Sequence, residues 1–223
     1  MAAASISHFI PNQPLLQRRG MMLILASPPG GGKTTITREL ARLDLQTTIS
    51  VSATTRAKRP GEVDGKHYHF VSPDKFQQMI DQGEMMEYAL VYNKNMYGTP
   101  RTPVEKALRA GKDVLFDIDW QGNRKFTEIA QEDVVSIFLL PPSWVELERR
   151  LHNRAQDSEE EIKRRLGKAR DEISHYTEFQ YVIVNNDLNE SVRQVRNILE
   201  AERAKRRRLI DLQGFVDTLK PSP

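Results

Sequence analysis

The chain has 223 residues, with 33 Lys and Arg against 30 Asp and Glu, a formal charge of +3, and no cysteine. That length suits one good-sized core, with room for inserted subdomains. The lack of cysteine excludes a disulfide framework, a thiolate metal site and a cysteine nucleophile, and fits a reducing compartment such as the cytoplasm. The charge is weaker than nucleic-acid binders usually show, and the longest apolar runs fall far short of the ~20 residues of a membrane span. Small anionic substrates are therefore expected, not nucleic acid or membrane.

Residues 1–19 contain no acid and end in Arg18-Arg19, with Pro11 and Pro14 interrupting any helix. They read as a disordered extension rather than an arginine-rich transit peptide. The apolar run 21–26 then predicts a buried strand. It leads into Ser27-Pro28-Pro29-Gly30-Gly31-Gly32-Lys33-Thr34-Thr35, a glycine-rich turn opening a helix marked by Ile36, Leu40 and Leu43. Small residues let backbone N–H groups curl around phosphate oxygens, and the helix N-terminus adds a positive dipole end. Lys33 is expected to reach the β- and γ-phosphates of a nucleoside triphosphate, and the Thr34 hydroxyl to hold Mg²⁺. Ser27 stands at the position of the first glycine of the G-x-x-x-x-G-K-[ST] pattern. A residue before proline is driven to extended backbone, so no positive φ is needed there. Pro29 lacks an N–H, which leaves the cradle to Gly30 through Thr35.

Further apolar runs at 114–118, 134–140 and 181–184 predict parallel strands covered on both faces. Helical patterns separate them: Val145, Leu147 and Leu151; Ile162, Leu166, Ala169 and Ile173; and Val192, Val195 and Leu199. Strands alternating with helices give a doubly wound α/β layer fold. The stretch from about residue 50 to 103 breaks this rhythm and predicts a small inserted α+β subdomain. Within it, Arg56 and Arg59 are spaced to converge on one anion, which arginine grips bidentately, and Tyr68 and Tyr97 offer phenolic donors to the same group. Asp117 and Asp119 end a buried strand, where α/β folds open their ligand crevice; helix capping is the alternative use of such acids. The basic cluster Arg203, Lys205, Arg206, Arg207 and Arg208 reads as a solvated helix end.

Taken together, the motifs Ser52-Ala53-Thr54-Thr55-Arg56, Arg59-Pro60-Gly61-Glu62-Val63-Asp64-Gly65, Tyr68-His69-Phe70, Gly83-Glu84-Met85-Met86-Glu87-Tyr88, Tyr97-Gly98-Thr99, Asp117-Ile118-Asp119-Trp120-Gln121-Gly122 and Ile183-Val184-Asn185-Asn186-Asp187 resemble the guanylate kinases in order and spacing. The resemblance covers about residues 20–202. It implies a P-loop three-layer fold with core segments 20–50, 104–145 and 166–208, a GMP-binding insertion 51–103, a helical lid 146–165 and a tail 209–223.

The resemblance also implies the activity: ATP-dependent phosphorylation of GMP to GDP with Mg²⁺, in purine metabolism and GMP recycling, with ATP and GMP as substrates. Arg56, Arg59, Tyr68 and Tyr97 would hold the GMP phosphate. Glu87 would accept the guanine N1–H and N2–H₂ groups, while Ser52 and Thr99 bond to the base edge, the Thr99 hydroxyl donating to O6. Asp117 would orient Mg²⁺ through water and Asp119 the acceptor side. Arg150, Arg154 and Arg165 would close over the phosphates beside Lys33, with Glu161 and Arg165 also placed to pair at i, i+4. Ala155 stands where the family usually has glycine, and Thr99 where it often has serine. Two alternatives are a non-catalytic binding module and a P-loop kinase for another nucleotide. The retained Lys33, Thr34, Arg56, Arg59 and Glu87 speak against the first; Glu87 with Ser52 and Thr99 speaks against the second. The oligomeric state is left open.

Overall fold

A computed structural model describes residues 16–91, 94–153 and 158–220. The expected extension therefore lies largely outside the described residues, as does Arg154. The run after Gly20 forms β1 (Met22–Ala26), whose residues are at most 1% exposed. It occupies the centre of a five-stranded parallel sheet with β2 (Thr47–Ile49), β7 (Asp113–Asp117), β8 (Val134–Leu140) and β9 (Tyr181–Val184), in the order β2-β7-β1-β8-β9. Successive side chains of a strand face opposite ways. Accordingly Leu23 and Leu25 pack with Ile36 and Leu40 of α1 (Lys33–Leu43) and Val192, Val195 and Leu199 of α7 (Leu188–Arg203). Met22, Ile24 and Ala26 pack with Val104 and Leu108 of α3 (Arg101–Arg109) and Phe126 of α4 (Trp120–Ala130). Helices thus cover both faces, as the α/β reading required.

The chain passes from β1 to β2 on the β7 side of β1, and from β7 it crosses back over β1 to β8 on the other side, so the connections change direction here. A crevice opens at the carboxyl ends of these strands, and the loop after β1 and Asp117 at the end of β7 both lie there. β9 departs from expectation. Val182 is 44% and Val184 54% exposed, because β9 is an edge strand with one open face.

Residues 53–100 build a second sheet in the order β4-β3-β6-β5, from β3 (Ala53–Thr54), β4 (His69–Phe70), β5 (Met85–Val91) and β6 (Asn95–Pro100). Helix α2 (Pro73–Asp81) starts with Ser72 accepting the Lys75 N–H and Pro73 in its first turn. It buries Phe76 against Ala53 and Met85. The expected lid, 146–165, falls on α5 (Trp144–His152) and the first part of α6 (Glu159–Ser174).

The basic cluster near the end of α7 is not a solvated helix terminus. Arg203 donates to Asp113 at 2.7 Å and to Asp44 at 2.6 Å, and Arg208 donates to the Glu202 carbonyl at 3.0 Å. Both arginines are buried, whereas Arg206 and Arg207 are exposed. Arg18, expected to belong to a structureless extension, donates to the same fully buried Asp113 at 2.6 Å. Arg19 pairs with Asp133 at 2.6 Å. The Ile210 N–H donates to the Gln17 carbonyl, and α8 (Leu212–Thr218) follows. Ordered packing therefore runs past both expected limits, 20 and 208. At the N-terminal limit the cause is Asp113, a buried carboxylate at the start of β7 that needs cationic partners from elsewhere in the chain.

Candidate active site

The loop after β1 combines glycines at Gly30 (φ 86°) and Gly32 (φ 97°) with a Gly31 N–H bond to the Pro28 carbonyl. Ser27 is buried and is not among the positive-φ residues, in keeping with its place before proline. Helices α2, α4, α5, α6 and α7 each begin with a Ser or Asp side chain accepting a first-turn N–H. Helix α1 begins at Gly32 with no such cap and no acid in its first turn. Its N–H groups and positive dipole end are left for an external anion.

Lys33 Nζ donates to the Ile118 carbonyl at 3.2 Å and lies 3.4 Å from Asp117. The Thr34 hydroxyl donates to the other Asp117 oxygen at 2.6 Å. The loop lysine, the helix-opening threonine and the strand-end acid thus meet. A hydroxyl and a carboxylate are hard oxygen donors, the set Mg²⁺ takes from a protein when waters and phosphates complete its shell. Asp119 has a double placement. Its side chain caps α4 by accepting the Gly122 N–H at 3.0 Å, and it lines the adjoining cleft.

That cleft, of about 580 Å³, also takes in Lys33, Ser52, Tyr68, Glu87 and Tyr97. In the β5–β6 hairpin Glu87 is directly opposite Thr99, and the Thr99 hydroxyl donates to Glu87 Oε1 at 2.8 Å. Thr99 is 1% exposed, and its only hydroxyl proton goes to the carboxylate rather than standing free for a base. Burial pushes the Glu87 carboxyl above its ordinary pKa, partly offset by the Thr99 bond and Lys125.

Arg56 is anchored from three directions. It donates to Glu62 at 2.7 Å, to the Ala57 carbonyl at 2.7 Å and to the Tyr97 hydroxyl at 3.2 Å. Its guanidinium lies 5.5 Å from the Tyr68 ring centroid, and Tyr68 meets Tyr97 edge-on at 5.8 Å. Of the five N–H groups of an arginine, three are thereby used and two remain for an anion. Arg59 is not brought to the same point. Its side chain is exposed, and its bonds are backbone ones to Glu62: its N–H donates to the carboxylate at 2.7 Å and its carbonyl accepts the Glu62 N–H at 3.2 Å. Hydrogen bonds from Arg56 and then from that N–H hold the Glu62 pKa down to about 2.

On the lid side, Arg150 donates to Glu146 at 2.7 Å and to the Asn185 carbonyl at 3.0 Å. Arg165 pairs with Glu161 at 3.0 Å, the i, i+4 contact expected of it. Helix α6 also brings Lys168 and Glu172 to the cleft.

The guanylate kinase sequence profile matches residues 19–202. The chain belongs to the guanylate kinase family. It is similar to the guanylate kinase of Paramagnetospirillum magneticum, 55% identical over 93% of this chain and 96% of that one. To that of Rhodospirillum rubrum it is 55% identical, over 92% and 94%. The crystal structure of guanylate kinase from Anaplasma phagocytophilum superposes with a TM-score of 0.75 at 38% identity, covering 93% of this chain and 99% of that one.

Within this guanylate kinase fold, four side chains at the site carry no role in the sequence reading. Glu62 is the acid that orders the arginine loop, and a lone carboxylate among Arg56, Lys58 and Arg59 was the available signal. Lys125, Lys168 and Glu172 reach the cleft from helix faces whose charge patterns look like ordinary solvated surface. Burial raises the Glu172 pKa, partly opposed by Lys33.

Proposed function

We infer that this chain transfers the γ-phosphoryl group of ATP to GMP, giving ADP and GDP. The observation that carries this reading is the Glu87–Thr99 pair, a carboxylate oriented in the same cleft as Lys33. A carboxylate accepts from the N1–H and N2–H₂ edge of guanine and repels the N1 lone pair of adenine. The high identity to guanylate kinases over nearly whole chains supports the same reading.

An oxygen of the GMP phosphate attacks the γ-phosphorus. The new O–P bond forms as the bond to the β,γ-bridging oxygen breaks, and ADP leaves. The nucleophile is already an anion, so no general base is assigned. Phosphoryl transfer depends on in-line positioning and on positive charge around the transferring group. The loop from Ser27 to Thr35 cradles the ATP phosphates, and Lys33 adds charge beside the β- and γ-phosphates. Thr34 and, through water, Asp117 would hold Mg²⁺, which would supply charge neutralisation at the phosphate oxygens. Arg56 with Tyr68 and Tyr97 holds the GMP phosphate, and Arg59, exposed on the same loop, reaches it only by swinging in. Ser52 and Asp119 complete the acceptor side. Arg150, Arg154 and Arg165 close from the lid and exclude water, which would otherwise take the phosphoryl group. The bacterial relatives support a cytoplasmic role in GMP recycling.

The test is an ADP-release assay with ATP and Mg²⁺ and with GMP, AMP, CMP or UMP in parallel. Turnover with GMP and little with the others is expected. Equal rates with AMP would remove the role given to Glu87, and silence with all four would remove the enzymatic reading.

A further inference from the structure

Asn185, just beyond β9, is 5% exposed and uses every polar group it has. Its backbone N–H donates to the Leu140 carbonyl at 2.7 Å, and its carbonyl accepts from Arg150 at 3.0 Å. Its side-chain Nδ2 donates to the Gly31 carbonyl at 2.8 Å, and its Oδ1 accepts from the Ser191 hydroxyl at 2.9 Å. The chemistry fixes the amide's orientation: the Gly31 carbonyl can only accept, so the nitrogen must face it, and Ser191 can then donate to the oxygen.

One residue thus touches the end of β8, the buried Ser191 of α7, the phosphate loop and a lid-side arginine. The contact with the loop has a geometric consequence. The described peptide bonds include no cis bond, and in a trans peptide the carbonyl and the following N–H point in opposite directions. Holding the Gly31 carbonyl toward Asn185 turns the Gly32 N–H away from it. The space beside Gly32 is also taken, since a Cβ there would stand 2.4 Å from Asn185 Nδ2. The asparagine amide occupies the place where a side chain on the loop would be.

We propose that Asn185 is a positioning residue that sets the Gly31–Gly32 peptide plane of the phosphate loop, oriented in turn by Ser191, and ties that loop to Arg150. It acts through the loop and touches no reacting atom. The inference rests on the reading of Ser27 to Thr35 as the ATP phosphate cradle. Its consequence is selective: donor binding and transfer depend on Asn185, whereas GMP binding to the insertion does not.

The test compares wild type, Asn185→Asp and Ser191→Ala in ATP and GMP binding titrations with Mg²⁺ and in steady-state turnover. Asn185→Asp keeps shape and the acceptor for Ser191 but sets an oxygen against the Gly31 carbonyl. The expected result is an ATP Kd raised about tenfold or more and kcat lowered about 10²-fold, as for a small misplacement of a binding group, with GMP Kd unchanged. Ser191→Ala, which removes the anchor on Oδ1 while the Gly31 carbonyl still selects the nitrogen, loosens the amide and raises the ATP Kd less and alone. Lowering the pH restores ATP binding to Asn185→Asp relative to wild type, because a protonated aspartic acid regains a donor for Gly31. A general structural lesion would not recover in this way. An unchanged ATP Kd in either folded variant overturns the proposal, as does parallel weakening of both nucleotides. Wild-type protein that fails to bind ATP would instead overturn the reading of the loop itself, and this inference with it.

Discussion

Replacing Glu87 by glutamine isolates the base-reading step. The Thr99 hydroxyl donates to Oε1 at 2.8 Å, and in Glu87→Gln it still has an amide oxygen to donate to. That bond turns the new Nε2 into the place of Oε2, so a donor faces the donor edge of guanine. Two hydrogen bonds to a charged acceptor are lost, at about 1.5–3 kcal/mol each. The sum, roughly 3–6 kcal/mol, lowers kcat/KM for GMP roughly 10²- to 10⁴-fold. AMP behaves differently, because its N1 acceptor now meets an N–H in place of a carboxylate, so kcat/KM for AMP holds or rises. The assay is ADP release at saturating ATP with GMP and AMP varied, with the thermal midpoint measured to show that the variant is folded. A GMP loss below about tenfold, about 1.4 kcal/mol, with the GMP-to-AMP ratio preserved, would refute the assignment.

Lys33→Ala is expected to abolish turnover while leaving the GMP Kd near wild type; loss of GMP binding would show that donor and acceptor sites are not separable as drawn. On the proposed reading guanine recognition uses the Glu87 carboxylate, and burial raises its pKa, so kcat/KM for GMP is expected to fall as pH drops through a value above the ~4.3 of an ordinary glutamate. Because the Thr99 bond holds that pKa down, Thr99→Val moves the inflection upward, and a pH–rate profile of both proteins checks the direction. Asp113→Ala strands Arg18 and Arg203, whose side chains are 13% and 9% exposed. Removing one partner of a buried ion cluster costs about 3–5 kcal/mol, and in a chain of this size that lowers the thermal midpoint by roughly 6–20 °C. Calorimetry measures the shift, and a change of only a degree or two would mean that the arginines find other partners.

What could be read from the sequence was whatever is written locally. β1 and its loop were legible because six consecutive apolar residues and a glycine run each carry their own signal. β2 was not, because Thr47-Thr48-Ile49 is a three-residue edge strand whose apolar content is too small to stand out. The buried roles of Arg203 and Arg208 escaped for a different reason. Arg203 finds Asp113 and Asp44, 90 and 159 residues away, and no local pattern announces such partners. The insertion shows the same division. Spacing brought Arg56 and Arg59 into one loop, but only the fold distinguishes the anchored Arg56 from the exposed Arg59, since Glu62 takes the side chain of one and the backbone of the other. Residues 1–15 and Arg154 lie outside the described residues.

The Thr99 hydroxyl shows how one proton can reassign a role. A hydroxyl has one proton to give, and here it goes to Glu87. Guanine O6 is an acceptor, so Thr99 cannot donate to O6 while it holds the carboxylate. Its contribution to base choice then runs through Glu87: it fixes which carboxylate oxygen is occupied, leaves the other for the base, and stabilises the charged form against the burial that opposes it. A serine at this position would do the same with its hydroxyl but without the methyl group, which restricts rotation about χ1. In a strand directly opposite Glu87, that restriction keeps the donor aimed at its partner before any nucleotide arrives. On the proposed reading the hydrogen bond to O6 falls to another donor in the cleft, and Ser52, which lines it, is the hydroxyl that the family resemblance implied for the base edge.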